Sequence, residues 1–371
     1  MGGMRWQGQL LEEAGQAAGP DASGAAAPLI PMKGLLRSVR TPEFEGITFH
    51  EVAAKTALNK VPAPSNMPFR WTVNPLRGCS HACAYCFARK THEYLDLDSG
   101  KDFDSQIVVK TNVAEVLRAE LGKPSWSREH VALGTNTDPY QRAEGRYQLM
   151  PGIIHALADS GTPFSILTKG PLLKRDLPLL TQASEHVAVS VAVSLAIVDP
   201  ELQQRVEPGT PDPRARLSLI RSLSEAGLDV SVLAMPILPW LTDSQDHLDA
   251  LHQALAEAGA SSVTIGALHL RPGAREWFLQ WLAREHPHLV AKYRRLYTGP
   301  KGFGSYASKE YRTWLGKRAG QCRRRYGFDD GGGRRESSDR AVWRDRSRPE
   351  GSDGESGLLE EAAAPAQPVL F

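Results

Sequence analysis

Apolar residues along the chain gather into six short runs, separated by stretches whose apolar positions recur every three or four residues. The runs are Trp71–Pro75, His130–Thr135, Pro163–Thr168, Val187–Ile197, Asp229–Met235 and Ser262–Ala267. Several are nearly continuous in Val, Ala, Leu and Ile, the pattern of a strand buried on both faces. The stretches between them carry helix signals. Asn112 is placed to cap a helix that turns Val113, Val116 and Leu117 to one side and stops near Gly122. Asp212-Pro213 opens a second, with Leu217, Ile220 and Leu223 expected inward and Gly227 as its stop. Thr242 or Asp243 opens a third, with Leu248, Leu251 and Leu255 inward and Gly259 at its end. Strand alternating with helix predicts an α/β fold with a parallel sheet, open or closed into a barrel. In both arrangements a ligand belongs at the carboxyl ends of the strands.

The flanks read differently, and they set the expected organisation. Residues 1–40 are rich in Gly, Ala and Pro without periodicity, a flexible lead-in; a core domain spans 41–288. Residues 289–326 form a basic, aromatic-rich helical extension, and 327–371 a disordered tail that opens near Gly331-Gly332-Gly333. The whole chain of 371 residues has 44 Lys+Arg against 42 Asp+Glu, a balance of +2, so nothing global demands a polyanionic partner. The longest apolar run, Val187 to Val198, holds two serines and is too short to span a bilayer. Glu12 and Glu13 directly after Leu10-Leu11 argue against a signal peptide. Four cysteines make no disulfide framework, which places the protein in the reducing cytoplasm, with no membrane partner.

Three of those cysteines crowd into one loop. The first apolar run feeds into Arg77-Gly78-Cys79-Ser80-His81-Ala82-Cys83-Ala84-Tyr85-Cys86, a C-x3-C-x2-C spacing just past a strand end. Three thiolates on so short a loop suit a cubane iron–sulfur cluster, each holding one iron and leaving the fourth open. A structural zinc site is the alternative, with His81 or His92 as the missing ligand. Cys322 comes 236 residues after Cys86, so no local four-thiolate site exists.

The loop, with Tyr85 before its last cysteine, resembles the signature of the radical S-adenosylmethionine (SAM) enzymes. Phe69-Arg70-Trp71-Thr72-Val73-Asn74-Pro75, Val108-Val109-Lys110-Thr111-Asn112, Thr137-Asp138-Pro139-Tyr140-Gln141 and Leu167-Thr168-Lys169 resemble the spore photoproduct lyase-like branch, also labelled DNA repair photolyase-like, in an actinobacterial subfamily. The likeness covers about residues 45–300. It implies a partial (β/α)6 TIM-like barrel with disordered N- and C-terminal tails. It also implies a [4Fe-4S] cluster on Cys79, Cys83 and Cys86, with the SAM amino and carboxylate groups on the fourth iron. One-electron reduction, from a flavodoxin- or ferredoxin-like protein, then cleaves SAM to a 5′-deoxyadenosyl radical that abstracts a substrate hydrogen. The resemblance makes Thr137 and Asp138 candidates for the SAM amino group, although Asp-Pro is also simply a turn. Lys169 is a candidate for the SAM carboxylate, Ser194 for ribose or methionine, Glu207 for ribose, and Tyr85 for the adenine. One departure matters. Spore photoproduct lyase uses a further cysteine downstream of the loop as hydrogen donor, and no cysteine lies between Cys86 and Cys322 here. The lyase activity is therefore not carried over, and the reaction, the substrate and the catalytic residues stay open.

Two further features bear on partners. Residues 289–326 hold eleven Lys or Arg against Glu310 alone, a local balance of +10, with Tyr293, Tyr297, Phe303, Tyr306, Tyr311, Trp314 and Tyr326 among them. Basic charge attracts phosphates and aromatic faces stack on unpaired bases, so nucleic acid is a candidate partner. The alternative is that Tyr293, Tyr297 and Trp314 pack on the barrel while the charges are solvated. The final Gln367-Pro368-Val369-Leu370-Phe371 resembles the short peptides that insert a Leu-Phe pair into the bacterial sliding clamp, with Pro368 departing from the usual residue. The reading is a cytoplasmic radical SAM enzyme with nucleic acid as candidate substrate, in DNA repair or modification. Its rivals are a non-catalytic iron–sulfur or zinc nucleic-acid-binding protein, and the same radical chemistry aimed at a peptide or metabolite.

Overall fold

A computed structural model of the protein describes residues 32–62, 67–300 and 302–328. Each of the six apolar runs meets a strand, the fifth running two residues past its expected end: β1 (Trp71–Val73), β2 (Val131–Leu133), β3 (Phe164–Thr168), β4 (Val189–Ser194), β5 (Val230–Ile237) and β6 (Ser262–Ala267). They lie in one sheet in chain order, every neighbouring pair parallel, with Leu58–Lys60 antiparallel on the outer edge of β1. The sheet stays open between β6 and Leu58–Lys60, which makes the fold a partial (β/α)6 barrel. Its register explains the apolar runs. Val73 stands opposite Leu133, Leu133 opposite Ile166, Ile166 opposite Val191, and Val232 opposite both Val193 and Val263. All are buried in one core with Leu117, Ile153, Leu219 and Leu251 from the helices.

The three expected helices form as Val113–Leu121, Pro213–Glu225 and Gln245–Glu257, with corrections in detail. Asn112 sits at the cap position of the first but makes no cap bond, because its side chain holds Ala54 through both N–H (2.8 Å) and carbonyl (3.0 Å). The third is capped by Ser244, which accepts from His247 N, while Thr242 accepts from Leu238 N and Asp243 from Trp240 N. In the second, Leu217 is only half-buried. The inward stripe is Pro213, Arg216, Leu219, Ile220 and Leu223, so a cation faces the core.

Residues 32–40, expected to be flexible, are ordered. Leu35–Val39 pairs antiparallel with Thr48–Val52, which runs parallel to Gln106–Lys110, with Leu76–Arg77 on the far edge. Hydropathy concealed this second sheet because Thr48, His50 and Glu51 are buried yet polar. Each is satisfied by a neighbour: Arg40 donates to Thr48, His50 is bonded to Ser38 and Gln106, and Arg37 and Tyr147 donate to Glu51. Buried polar groups with partners carry no penalty that would exclude them from a strand.

After β6 the chain forms the helices Ala274–Glu285, Val290–Tyr297 and Lys309–Arg325. Tyr293 and Tyr297 are fully buried and donate to the carbonyls of Pro239 and Leu268. Trp314 departs from the packing alternative and stays 39% exposed, with Tyr306 at 61%. Leu315, Ala319 and Cys322 seat the last helix against Gln245–Glu257 and β6. No helix among the described residues is long and apolar enough to cross a membrane. The clamp-like peptide Gln367–Phe371 lies outside the described residues.

Candidate active site at the mouth of the barrel

The cysteine loop leaves β1 at the carboxyl end of the sheet, where the fold places ligands. Local sterics fix its path. Gly78 has φ +79, and a Cβ there would come within 2.9 Å of His92, Ile107 and the Phe103 carbonyl. Gly209 lets the chain after Val206 pass so close that a Cβ would lie 2.0 Å from the Ser80 carbonyl. Backbone bonds tie the loop on both sides, from Cys79 N to Phe103 O (2.9 Å) and from Ala84 N to Val206 O (2.9 Å). Cys79 and Cys83 are buried and Cys86 half-buried.

Thr137 and Asp138, just past β2, reach the loop as braces. Thr137 Oγ1 donates to Gly78 O (2.6 Å) and accepts from Gln141 Nε2, which also donates to Gly78 O. Gln141 Oε1 accepts from Ser80 N (2.8 Å). The Asp138 carboxylate accepts from Tyr140 N and Thr168 Oγ1 on one oxygen and from Lys169 N on the other, 3.4 Å from His81 Nδ1. It thereby locks the end of β2 to the end of β3. Gln141, fully buried, was missed by the sequence reading; its place one residue after Tyr140 in the quoted motif was the available signal.

Tyr85, Lys169, Ser194 and Glu207 do come together. Lys169 Nζ, just past β3, donates to Ser194 Oγ at the end of β4 (2.8 Å) and lies 5.9 Å from the Tyr85 ring. Tyr85 donates to Glu207 Oε1, while Glu207 Oε2 accepts from Arg216 (2.6 Å) and Thr210 (3.2 Å). Arg216 also donates to the carbonyls of Ser194 and Pro211. Burial opposes the Glu207 charge, but Arg216 and Lys169 outweigh it and hold the carboxyl at about 2. Burial likewise works against the Lys169 ammonium, and Glu207 with Cys83 more than restores it, so its pKa is raised. Burial drives the Tyr85 phenol upward, so it stays a donor. Arg216 escaped the sequence reading because a polar residue at an inward helical position reads as a surface residue.

The donor set fits an iron–sulfur group. Burial raises all three thiols, Cys79 to about 12, and each is further raised by a neighbouring cysteine or acid. A cationic centre among them, with Lys169 and Arg89 close by, would offset that cost and favour the thiolates. The two histidines considered for zinc are turned elsewhere: His81 toward Asp138, and His92 to Gln106 O at 2.9 Å. Among the described residues no three His, Cys, Asp or Glu side chains are gathered to hold a single metal ion. Cys322 lies apart, bonded to Gln245 and Asp249.

Comparison with known proteins agrees with this geometry. Residues 73–254 match the radical SAM superfamily. Uncharacterized proteins of Mycobacterium bovis and Mycobacterium tuberculosis are 61% identical over 315 residues, covering 85% of this chain and 90% of theirs. Among solved structures, spore photoproduct lyase aligns with a TM-score of 0.57 at 16% identity, covering 75% of this chain and 79% of that one. One such structure holds SAM and a dinucleoside spore photoproduct. At that identity the match establishes a shared fold. The chain belongs to the radical SAM superfamily, whose cofactors are a [4Fe-4S] cluster and SAM, and is a radical SAM enzyme that shares a family with these mycobacterial proteins.

Proposed function

We propose that Cys79, Cys83 and Cys86 hold the [4Fe-4S] cluster and that the Tyr85–Lys169–Ser194–Glu207 group forms the SAM pole beside it. The observation that carries this reading is that three thiols on the loop after β1, two buried and one half-buried, lie beside the Lys169 ammonium past β3, the Ser194 hydroxyl at the end of β4 and the ionised Glu207 carboxylate. Lys169 offers a cation to the SAM carboxylate, and Ser194 a hydroxyl beside it. Glu207 acts through Tyr85, whose ring it fixes in the apolar cluster that also holds Ile197 and Val206. Thr137 and Asp138 have their polar atoms engaged with the loop and β3, so they position rather than bind. When bound, the cluster and SAM together supply reductive cleavage to a 5′-deoxyadenosyl radical that abstracts hydrogen. The residues themselves keep the thiolates together, orient the charged pole, and exclude water with the apolar cluster around Tyr85.

For the substrate, the exposed face of 289–326 favours nucleic acid. Tyr306 and Trp314 of this segment, and Trp240 beside it, are exposed, each with a cation of the segment near its ring: Arg312 at 5.6 Å, Arg318 at 4.3 Å and Lys292 at 5.9 Å. Exposed rings beside cations are what stacking on unpaired bases needs. A one-electron donor protein of flavodoxin or ferredoxin type completes the system.

The test is anaerobic reconstitution with iron and sulfide, then dithionite and SAM, assaying 5′-deoxyadenosine. Product from the wild type, lost in Cys79→Ala, Cys83→Ala and Cys86→Ala, is expected. One zinc and no iron, or a loaded cluster without cleavage, overturns the reading.

A further inference from the structure

Against the cysteine loop lies a second ion pair, its cation fully buried, that the SAM pole does not use. Arg89, three residues past Cys86, is fully buried, and its donors all go to protein. Nε and Nη2 donate to Cys83 O (3.3 and 3.0 Å), and Nη1 donates to Gly100 O (2.7 Å) and Ser99 O (3.4 Å). Nη2 also meets both oxygens of Asp104 at 2.9 and 3.0 Å. The guanidinium is clamped between Phe103 (5.3 Å) and Trp277 (4.7 Å), so it cannot swing into water. Asp104, on the outer side, is 19% exposed, and burial pushes its carboxyl up to about 6 against the pull of Arg89.

The charge lies against the loop, because the guanidinium is held on the carbonyl of Cys83 itself and sits three residues past Cys86. A fixed cation in a low-dielectric site stabilises any negative charge added near it, and a fixed anion does the reverse. Cluster reduction adds one electron taken from the donor protein, with no atom transferred. Reduction potentials of such clusters respond to local charge and hydrogen bonding in this way.

We propose that Arg89 and Asp104 are positioning residues that set the cluster's reduction potential, Arg89 raising it and Asp104 holding it down. This rests on the assignment of Cys79, Cys83 and Cys86 as cluster ligands.

Opposite charges give opposite signs, which a purely structural brace does not. The experiment is an EPR-monitored redox titration of the reconstituted full-length enzyme, well above pH 6 so that Asp104 is ionised, with iron and sulfide counted in each sample. Arg89→Gln should shift the midpoint to a more negative potential and Asp104→Asn to a more positive one. The double variant should return toward the wild type. Shifts of the same sign, or none at wild-type iron content, overturn the proposal. If Arg89→Gln holds no iron, Asp104→Asn decides alone, and an unchanged or more negative midpoint defeats the idea. A wild-type protein that takes up no cluster refutes the ligand assignment instead, a different result.

Discussion

The mouth of the barrel and the C-terminal helices use the same residue types in opposite ways. At the mouth, Arg89 and Arg216 are fully buried, paired with Asp104 and Glu207, and their other bonds go to backbone carbonyls and, for Arg216, the Thr210 hydroxyl. On the C-terminal helices, Arg294, Arg295, Arg312 and Arg324 stand in water. Tyrosines divide likewise: Tyr85 is locked to Glu207, whereas Tyr306 lies exposed against His269, 4.2 Å between ring centroids. Burial decides what such a residue is for. A desolvated charge is committed to its partner, and removing either member strands the other. A solvated charge contributes little to the fold and stays available to a ligand.

That contrast can be broken in several places. The largest effect belongs to the cysteines, where any single Ala substitution should abolish both bound iron and 5′-deoxyadenosine formation, read by metal analysis and chromatography. Next comes Arg216→Met, which strips the buried Glu207 carboxylate of its ion-pair partner and leaves only the more distant Lys169 charge to offset it. A loss of about 3–5 kcal/mol in denaturant unfolding is expected, and wild-type stability would mean that the pair is not holding the pole. The carboxylate itself predicts a pH dependence. Glu207 is held at about 2, below its ordinary 4.5, so the unfolded chain takes up this proton more readily than the native state. Its stabilisation is complete above about 4.5 and is lost as pH falls toward about 2. Acid unfolding of Glu207→Gln should lack that component, and an identical pH profile would count against it.

The smallest effects on the fold should come from the exposed face. Arg312→Gln is expected to change stability by no more than about 0.5 kcal/mol. Its binding to single-stranded DNA should weaken, with the slope of log affinity against log salt falling by about 0.7 for each phosphate that is no longer neutralised. Trp314→Ala should weaken the same binding by about 1–3 kcal/mol. Unchanged affinity in both variants would remove nucleic acid from that face.

How much was legible in advance follows the range of each signal. The six core strands were readable because parallel strands covered on both faces leave continuous apolar runs, a local mark. The strand Thr48–Val52 was not, because its buried Thr, His and Glu are made tolerable by Arg37, Arg40, Ser38, Gln106 and Tyr147, none adjacent in sequence. Lys169 and Ser194 were found through strand ends, and the structure joins them. Arg216 and Arg89 were not found, since a charged residue reads as solvated until its partner is known.

The sequence by itself determined the parallel α/β order and the placing of three thiols on one loop at a strand end. Those features depend on spacing within a few residues, where backbone geometry leaves few choices. Only the tertiary structure decided that Tyr85 meets Glu207 across 122 residues, that Arg216 turns inward, and that Thr137, Asp138 and Gln141 brace the loop. Burial and pairing of charge are properties of what lies across the space between elements, and no local period encodes them.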